Sequence, residues 1–259
     1  MFPRSIKQYE KTYYIRQFDK TSKFDDLDKA ISELKSLFDD NGLILQASLI
    51  KKIYNEEKSN PVNCVTMIWT SDIAITALIN CALVVDSVNS YPNIDEDDFS
   101  FYFKFLEEKN LDYKTIIDKY IKFMRILNTC IVTLGTPFND TDRVTYRGIS
   151  KNILPATNVG QSFRIANWLS TSEDKQISEE FMESYNEDDQ LMVEFHIKRG
   201  CFNAGRINKF GKSCYPSEME TLIPPYTVVK LISKVDNYAI LEVAKDNKDY
   251  NIDMNMSCA

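Results

Sequence analysis

The 259-residue chain is short of glycine. It holds 7, where an average usage of about 7% would give roughly 18. Gly42 stands alone in the first half, and Gly135, Gly148, Gly160, Gly200, Gly205 and Gly211 follow it. Loops that cradle phosphates with backbone amides need glycine for sharp turns and close approach. The chain has neither GxGxxG nor GxxxxGK[ST], which excludes the glycine-rich nucleotide folds. Histidine is scarcer still. His196 is the only one, so triads and metal centres that need two histidines are excluded, and no metal is expected. It alternates with Glu194 and Lys198 in LMVEFHIKRG and reads as a polar residue on a strand face rather than a catalytic base.

Long apolar runs are also missing. A membrane helix needs about 18 continuous apolar residues. The best run, Ile73 to Val85, is interrupted by Thr76 and Asn80. The N-terminal MFPRSIKQYEKTYYIRQF is charged and aromatic, unlike the apolar stretch of a secretory signal. Cys64, Cys81, Cys130, Cys201, Cys214 and Cys258 form no CxxC pair, and a reducing compartment is the expectation. Cys258 is second from the end, and no CaaX lipidation signal is expected. The net charge of −7, from 31 basic and 38 acidic residues, excludes a broad nucleic-acid-binding face. One stretch runs the other way: Arg4, Lys7, Lys11, Arg16, Lys20 and Lys23 against Glu10 and Asp19. It reads as a solvated helix face, with a basic arm for a partner as the alternative.

What is present is a core-forming composition, with 15 Phe and 14 Tyr, divided into two kinds of pattern. The first half is helical. FDDLDKAISELKSLF has apolar residues at Phe24, Leu27, Ile31, Leu34, Leu37 and Phe38, a 3.6-residue period, closed by Asn41-Gly42. LILQASLIKKIYNEEK predicts a second helix, after which Pro61 breaks the pattern. IAITALINCALVVDS predicts a third, opened by the capping types Thr70, Ser71 and Asp72. FSFYFKFLEE and TIIDKYIKFMRILNTCIVTL follow.

Beyond Gly135-Thr136-Pro137 the pattern changes. DRVTYRGIS, ANWLSTS, QLMVEFHIKRG, ETLIPPYTVVKLISKV and YAILEVAK are short, β-branched or alternating, and predict strands. SEDKQISEEFMESYN predicts a helix N-capped at Ser172 or Glu173. Helices first and strands later predict an α+β fold.

Three elements of the β half carry chemistry. Tyr146-Arg147-Gly148 ends a predicted strand and offers a guanidinium fork beside a backbone without Cβ, suited to a diphosphate. Alone, such an Arg is usually a surface ion pair. Ser170 and Ser172 in Leu169-Ser170-Thr171-Ser172 share one strand face; helix capping is the structural alternative for Ser172. In SEMETLIPP, period-2 spacing places Glu218 and Glu220 on one side and Met219 on the other. A sheet would not choose two like charges on one face for stability, although a solvated strand edge would tolerate them. Pro224-Pro225 ends the strand.

In their order and spacing, these elements resemble the Arg–Ser–Glu class of mono-ADP-ribosyltransferases, which includes clostridial actin-modifying toxins and vertebrate ecto-transferases. The strongest match is SEMETLIPP, close to the family's ExEVLIPP. Upstream, CVTMIWTS and ITALINCAL resemble its AIxxYTS strand and LNxxL helix. The resemblance spans roughly residues 60 to 235. It implies a helical N-terminal half packed on a β-sandwich-like catalytic core: a helical extension over 1–58, the catalytic domain over 59–243 and a polar tail over 244–259.

The resemblance also implies roles. Arg147 would hold NAD, the substrate, chiefly through its phosphates, with Tyr146, Gly148, Ser170 and Thr171 beside it. Ser170 would orient Glu220, the catalytic carboxylate. Glu218 would bind and activate the acceptor, an arginine on a target protein. Cleaving the nicotinamide–ribose bond develops an oxocarbenium ion that a fixed carboxylate stabilises. Nicotinamide leaves as a neutral molecule and needs no general acid. The loop from Phe210 to Ser217 would meet the target, with Tyr215 either presented there or packed beside Pro216. Gln161 to Arg164 are further candidate pocket lining. No translocation or receptor-binding module is recognisable, so the enzyme part alone, or a cytoplasmic or secreted or injected effector, is expected. Two other readings stay open: an NAD glycohydrolase using the same residues, and a degenerate module that binds NAD or a partner without turnover.

Overall fold

The computed structural model describes residues 12–14, 27–90, 100–135, 140–151, 154, 158–247 and 256–257. The basic residues Arg4 to Lys23, residues 136–139 and most of the polar tail lie outside them. The chain forms two compact units. One contains Tyr9–Cys130 together with Gly211–Tyr215; the other contains Ile131–Phe210 and the chain from Pro216 onward.

The first unit is helical, with α1 (Leu27–Asp40), α2 (Ile44–Glu57), α3 (Pro61–Ser71), α4 (Ile73–Ser90), α5 (Ser100–Glu108) and α6 (Tyr113–Cys130). The predicted stripe of α1 is buried as Leu27, Ala30, Ile31, Leu34, Leu37 and Phe38. Gly42 ends it with a φ of +72°, and the Asn41 amide donates to the Leu37 carbonyl. The long α6 packs against α1 and α4. Asp86 is buried on α4 and accepts the backbone N–H groups of Tyr13 and Tyr14.

Two expectations in this unit are corrected. CVTMIWTS is helical, inside α3, and not a strand. Its buried Cys64, Val65, Ile68 and Trp69 repeat at helical spacing, which overrides their β propensity. Pro61 breaks the preceding pattern by starting this helix, where its missing N–H costs nothing. The cap of α4 is Asp72 alone, whose carboxylate accepts the Ala74 N–H at 2.7 Å. Thr70 and Ser71 belong to α3, and their hydroxyls donate to the Thr66 and Ile68 carbonyls.

The second unit holds β1 (Arg143–Ser150), β2 (Ser162–Ile165), β3 (Leu169–Ser172), α7 (Lys175–Met182), β4 (Gln190–Ile197), β5 (Gly205–Arg206), a short helix α8 (Ile207–Phe210), β6 (Glu220–Ile223), β7 (Thr227–Val235), β8 (Tyr238–Val243) and β9 (Met256–Ser257). The sheet order is β5-β6-β3-β1-β4-β8-β7-β2-β9. β4–β8 and β2–β9 are parallel, and the other pairs antiparallel. Ile149, Leu169, Phe195, Ile223, Val229 and Leu241 share one buried cluster with Phe163 and Ile165. Strands far apart in the order therefore meet across a common core, as in a sandwich. The fold is α+β, as the sequence predicts.

Pro224-Pro225 ends β6 as expected, so ETLIPPYTVVKLISKV forms two strands, β6 and β7, with Tyr226 between them at a φ of +63°. Helix α7 is capped by Asp174, which accepts the Gln176 N–H, rather than by Ser172 or Glu173. Tyr146-Arg147-Gly148 lies inside β1, not at its end. At Gly148, a Cβ would stand 2.5 Å from Met182 Cβ and 2.6 Å from the Ser178 carbonyl oxygen. This glycine therefore lets α7 lie directly on β1. Gly148→Ala forces the helix outward and is expected to destabilise the protein by about 1–3 kcal/mol, read as a lower denaturation midpoint in urea.

Candidate active site

The site forms where two strand pairings differ in length. β3 and β6 pair at four positions, Leu169↔Ile223 through Ser172↔Glu220. β1 and β4 pair at eight. Between these ladders, β1 and β3 share only Tyr146↔Ser172. Arg147 lies next to this one pairing. Its Nη1 donates to the Ser170 carbonyl at 2.6 Å. The Ser170 hydroxyl in turn donates to Glu220 Oε1 at 2.5 Å. A guanidinium, a serine and a buried carboxylate thus form one hydrogen-bonded series across β1, β3 and β6.

All three hydroxyls of Ser170-Thr171-Ser172 have defined tasks. Ser170 holds Glu220. Thr171 is buried and donates to the Thr221 carbonyl, joining β3 to β6. Ser172 donates to the Glu218 carbonyl at 2.6 Å and accepts the Asp174 N–H at 2.9 Å.

Glu218 is not on a strand. It ends a 3-10 turn, Pro216–Glu218, and β6 starts at Glu220. Met219 between them has a φ of +47°. The alternating arrangement expected for the pair is therefore replaced by a turn, and period-2 geometry no longer fixes which way Glu218 points. Half-burial pushes the Glu218 carboxyl above its ordinary pKa by desolvation.

The remaining predicted residues are placed as follows. Tyr146 and Gly148 alternate with Arg147 along β1, so they face the opposite side, where α7 covers Gly148. The Tyr146 carbonyl accepts the Ser178 hydroxyl at 2.9 Å. Tyr215 is 52% exposed. In the segment Gly211–Tyr215, Lys212 pairs with Glu57 at 2.6 Å and the Cys214 N–H donates to Thr70. In β2, Phe163 belongs to the core and Arg164 is buried, donating to the Tyr226 carbonyl at 2.9 Å. Burial lowers the Arg164 pKa to about 9. His196 sits on β4 with Nε2 2.5 Å from Glu194 Oε1, the strand-face position the alternation predicts.

Sequence reasoning missed Glu173. Its carboxylate bridges Arg143 of β1, at 2.6 Å, and Arg206 of β5, at 2.7 Å. Its place directly after Ser172 is visible in sequence. Its partners are remote in the chain and meet it only through the sheet order.

With this geometry in place, comparison with known proteins defines the class. A family model described as NAD:arginine ADP-ribosyltransferase matches residues 113–251. The chain belongs to that family, whose reaction is NAD-dependent ADP-ribosyl transfer. A comparison with curated protein sequences gives no match. Among solved structures, a variant of the eukaryotic mono-ADP-ribosyltransferase ART2.2 in complex with NAD aligns at 19% identity, over 87% of this chain and 88% of that one, with a TM-score of 0.51. Exoenzyme S from Pseudomonas aeruginosa, bound to human 14-3-3 protein beta and Carba-NAD, aligns at 13% identity, over 84% and 88%, with a TM-score of 0.50. These two share the fold. Among the described residues no single helix is long and apolar enough to cross a membrane.

The Ser170–Glu220 bond generates a prediction. Ser170→Ala leaves the carboxylate without its fixed donor, and NAD turnover is expected to fall at least ~10-fold with an unchanged circular dichroism spectrum. An unchanged rate would mean that the Ser170–Glu220 bond makes no contribution to turnover.

Proposed function

We propose that the protein transfers ADP-ribose from NAD to an arginine side chain of a target protein. The observation that carries this reading is the series Arg147–Ser170–Glu220, with a second carboxylate, Glu218, on the turn just before it. In this reading Arg147 binds the phosphates of NAD, as a planar guanidinium suits. Glu220 stabilises the positive charge that grows on the ribose as nicotinamide departs, and accepts a hydrogen bond from the 2′-OH. Ser170 fixes the carboxylate so that little reorganisation accompanies the reaction. Thr171 and Gly148 support the site through the scaffold: one ties β3 to β6, the other admits α7. Tyr146 flanks Arg147 on β1.

Glu218 makes arginine the favoured acceptor. A guanidinium has a pKa above 12 and is a poor nucleophile until it loses a proton. A carboxylate beside the electrophile both attracts the cation and removes that proton as the new C–N bond forms. Its upward-shifted pKa makes it a better base than an exposed carboxylate. The proton passes to Glu218, and neutral nicotinamide is the leaving group.

The test uses labelled NAD with a guanidino acceptor and measures transfer and NAD hydrolysis in the same samples. Glu220→Gln is expected to lower both at least ~10²-fold. Glu218→Gln is expected to abolish transfer while hydrolysis persists. Equal loss of both activities in Glu218→Gln would contradict the separate roles. Hydrolysis without any transfer in the wild type would point to a glycohydrolase instead.

A further inference from the structure

The two carboxylates are held by different means. Glu220 begins a strand whose four ladder pairs with β3 and whose Ser170 bond fix it directly. Glu218 precedes the strand, in a three-residue turn. The carbonyls of Glu218 and of Met219 just after it are gripped from one place, the segment Ser172–Glu173. The Ser172 hydroxyl donates to the Glu218 carbonyl at 2.6 Å, and the Glu173 N–H to the Met219 carbonyl at 3.4 Å. Met219 stands at a φ of +47°, a conformation that a residue with a side chain keeps only where its surroundings impose it.

Glu173 is itself anchored. Its Oε1 accepts Arg143 Nη1 at 2.6 Å and its Oε2 accepts Arg206 Nη2 at 2.7 Å. The side chains of Arg143, Glu173 and Arg206 are 8%, 16% and 24% exposed, so solvent screens the triad weakly. Arg206 is the register partner of Thr221, and Arg143 Nη1 lies 3.5 Å from Thr221 Oγ1, one residue past Glu220. The triad spans the sheet where backbone pairing is thin: one pair between β1 and β3, two between β5 and β6. Side-chain charge substitutes there for ladder hydrogen bonds. Burial lowers the pKa of Arg143, and Glu173 opposes that effect.

We propose that Glu173 is a positioning residue for the acceptor step. Its carboxylate locks β1 to β5, and the segment so fixed sets the Met219 turn and hence the placement of Glu218 relative to Glu220. This rests on the roles proposed for those two glutamates. Because Glu220 has its own supports, loosening the triad acts on Glu218 first. Losing the clamp therefore separates transfer from NAD cleavage instead of lowering both.

The test is Glu173→Gln, close in shape but without the charge, assayed for transfer to a small guanidino acceptor and for NAD hydrolysis. The expected result is a fall in transfer kcat of at least ~10-fold, with the KM for NAD and the hydrolysis rate within about 3-fold of wild type. Arg206→Gln keeps the Arg143–Glu173 pair and is expected to show the same split more weakly, which preserves the test if Glu173→Gln folds poorly by thermal melting. Transfer and hydrolysis falling in proportion in a folded variant would overturn the proposal, as would no change in either. Glu220→Gln is run alongside. If it leaves hydrolysis intact, the catalytic reading fails independently of Glu173.

Discussion

The hydrogen bond from the Ser170 hydroxyl to Glu220 is the constraint on which the site depends. A carboxylate in this position would otherwise choose among rotamers, and a mobile charge stabilises a transition state poorly. The bond is possible because β3 and β6 pair over their whole four-residue length. Thr171 secures the same pair from within, through the Thr221 carbonyl. Ser170 also offers its carbonyl to Arg147. One residue thereby joins the proposed phosphate-binding cation to the proposed catalytic anion.

The fold supplies both the rigidity and the opening. Long ladders hold β1 to β4 and β3 to β6, while β1 and β3 touch at a single pair. Side chains occupy that seam. Arg147 works at one place along it, and the Arg143–Glu173–Arg206 triad at another. A partly buried triad of this kind is weak grounds for stability, because desolvating its charges offsets much of their attraction. Its value is geometric, since it fixes a turn that ordinary pairing does not reach.

Much of this was legible in the sequence, and the failures have physical causes. β8 buries every second residue, and β1 and β4 carry enough β-branched and apolar residues to read as strands even though both of their faces are covered in part; all three lie where the pattern predicts. β2, β5 and β9 have four, two and two residues, too few to show a period. CVTMIWTS looks like a strand from its β-branched residues, but its apolar positions bury one helical face. The Glu218–Glu220 spacing invites a strand reading, and only the positive φ of Met219 undoes it. Methionine gives no local sign of that conformation, which glycine or asparagine would have given. The scarce glycines serve local geometry: Gly42 ends α1 at a positive φ, and Gly148 makes room for α7.

A crystal structure with an unreactive NAD analogue is the direct test of the site. The Glu220 carboxylate is expected at the nicotinamide ribose, still bonded to Ser170, and the Arg147 guanidinium on the phosphates. An analogue bound with its ribose away from Glu220, or with Arg147 retained on the Ser170 carbonyl and free of the phosphates, would contradict these roles.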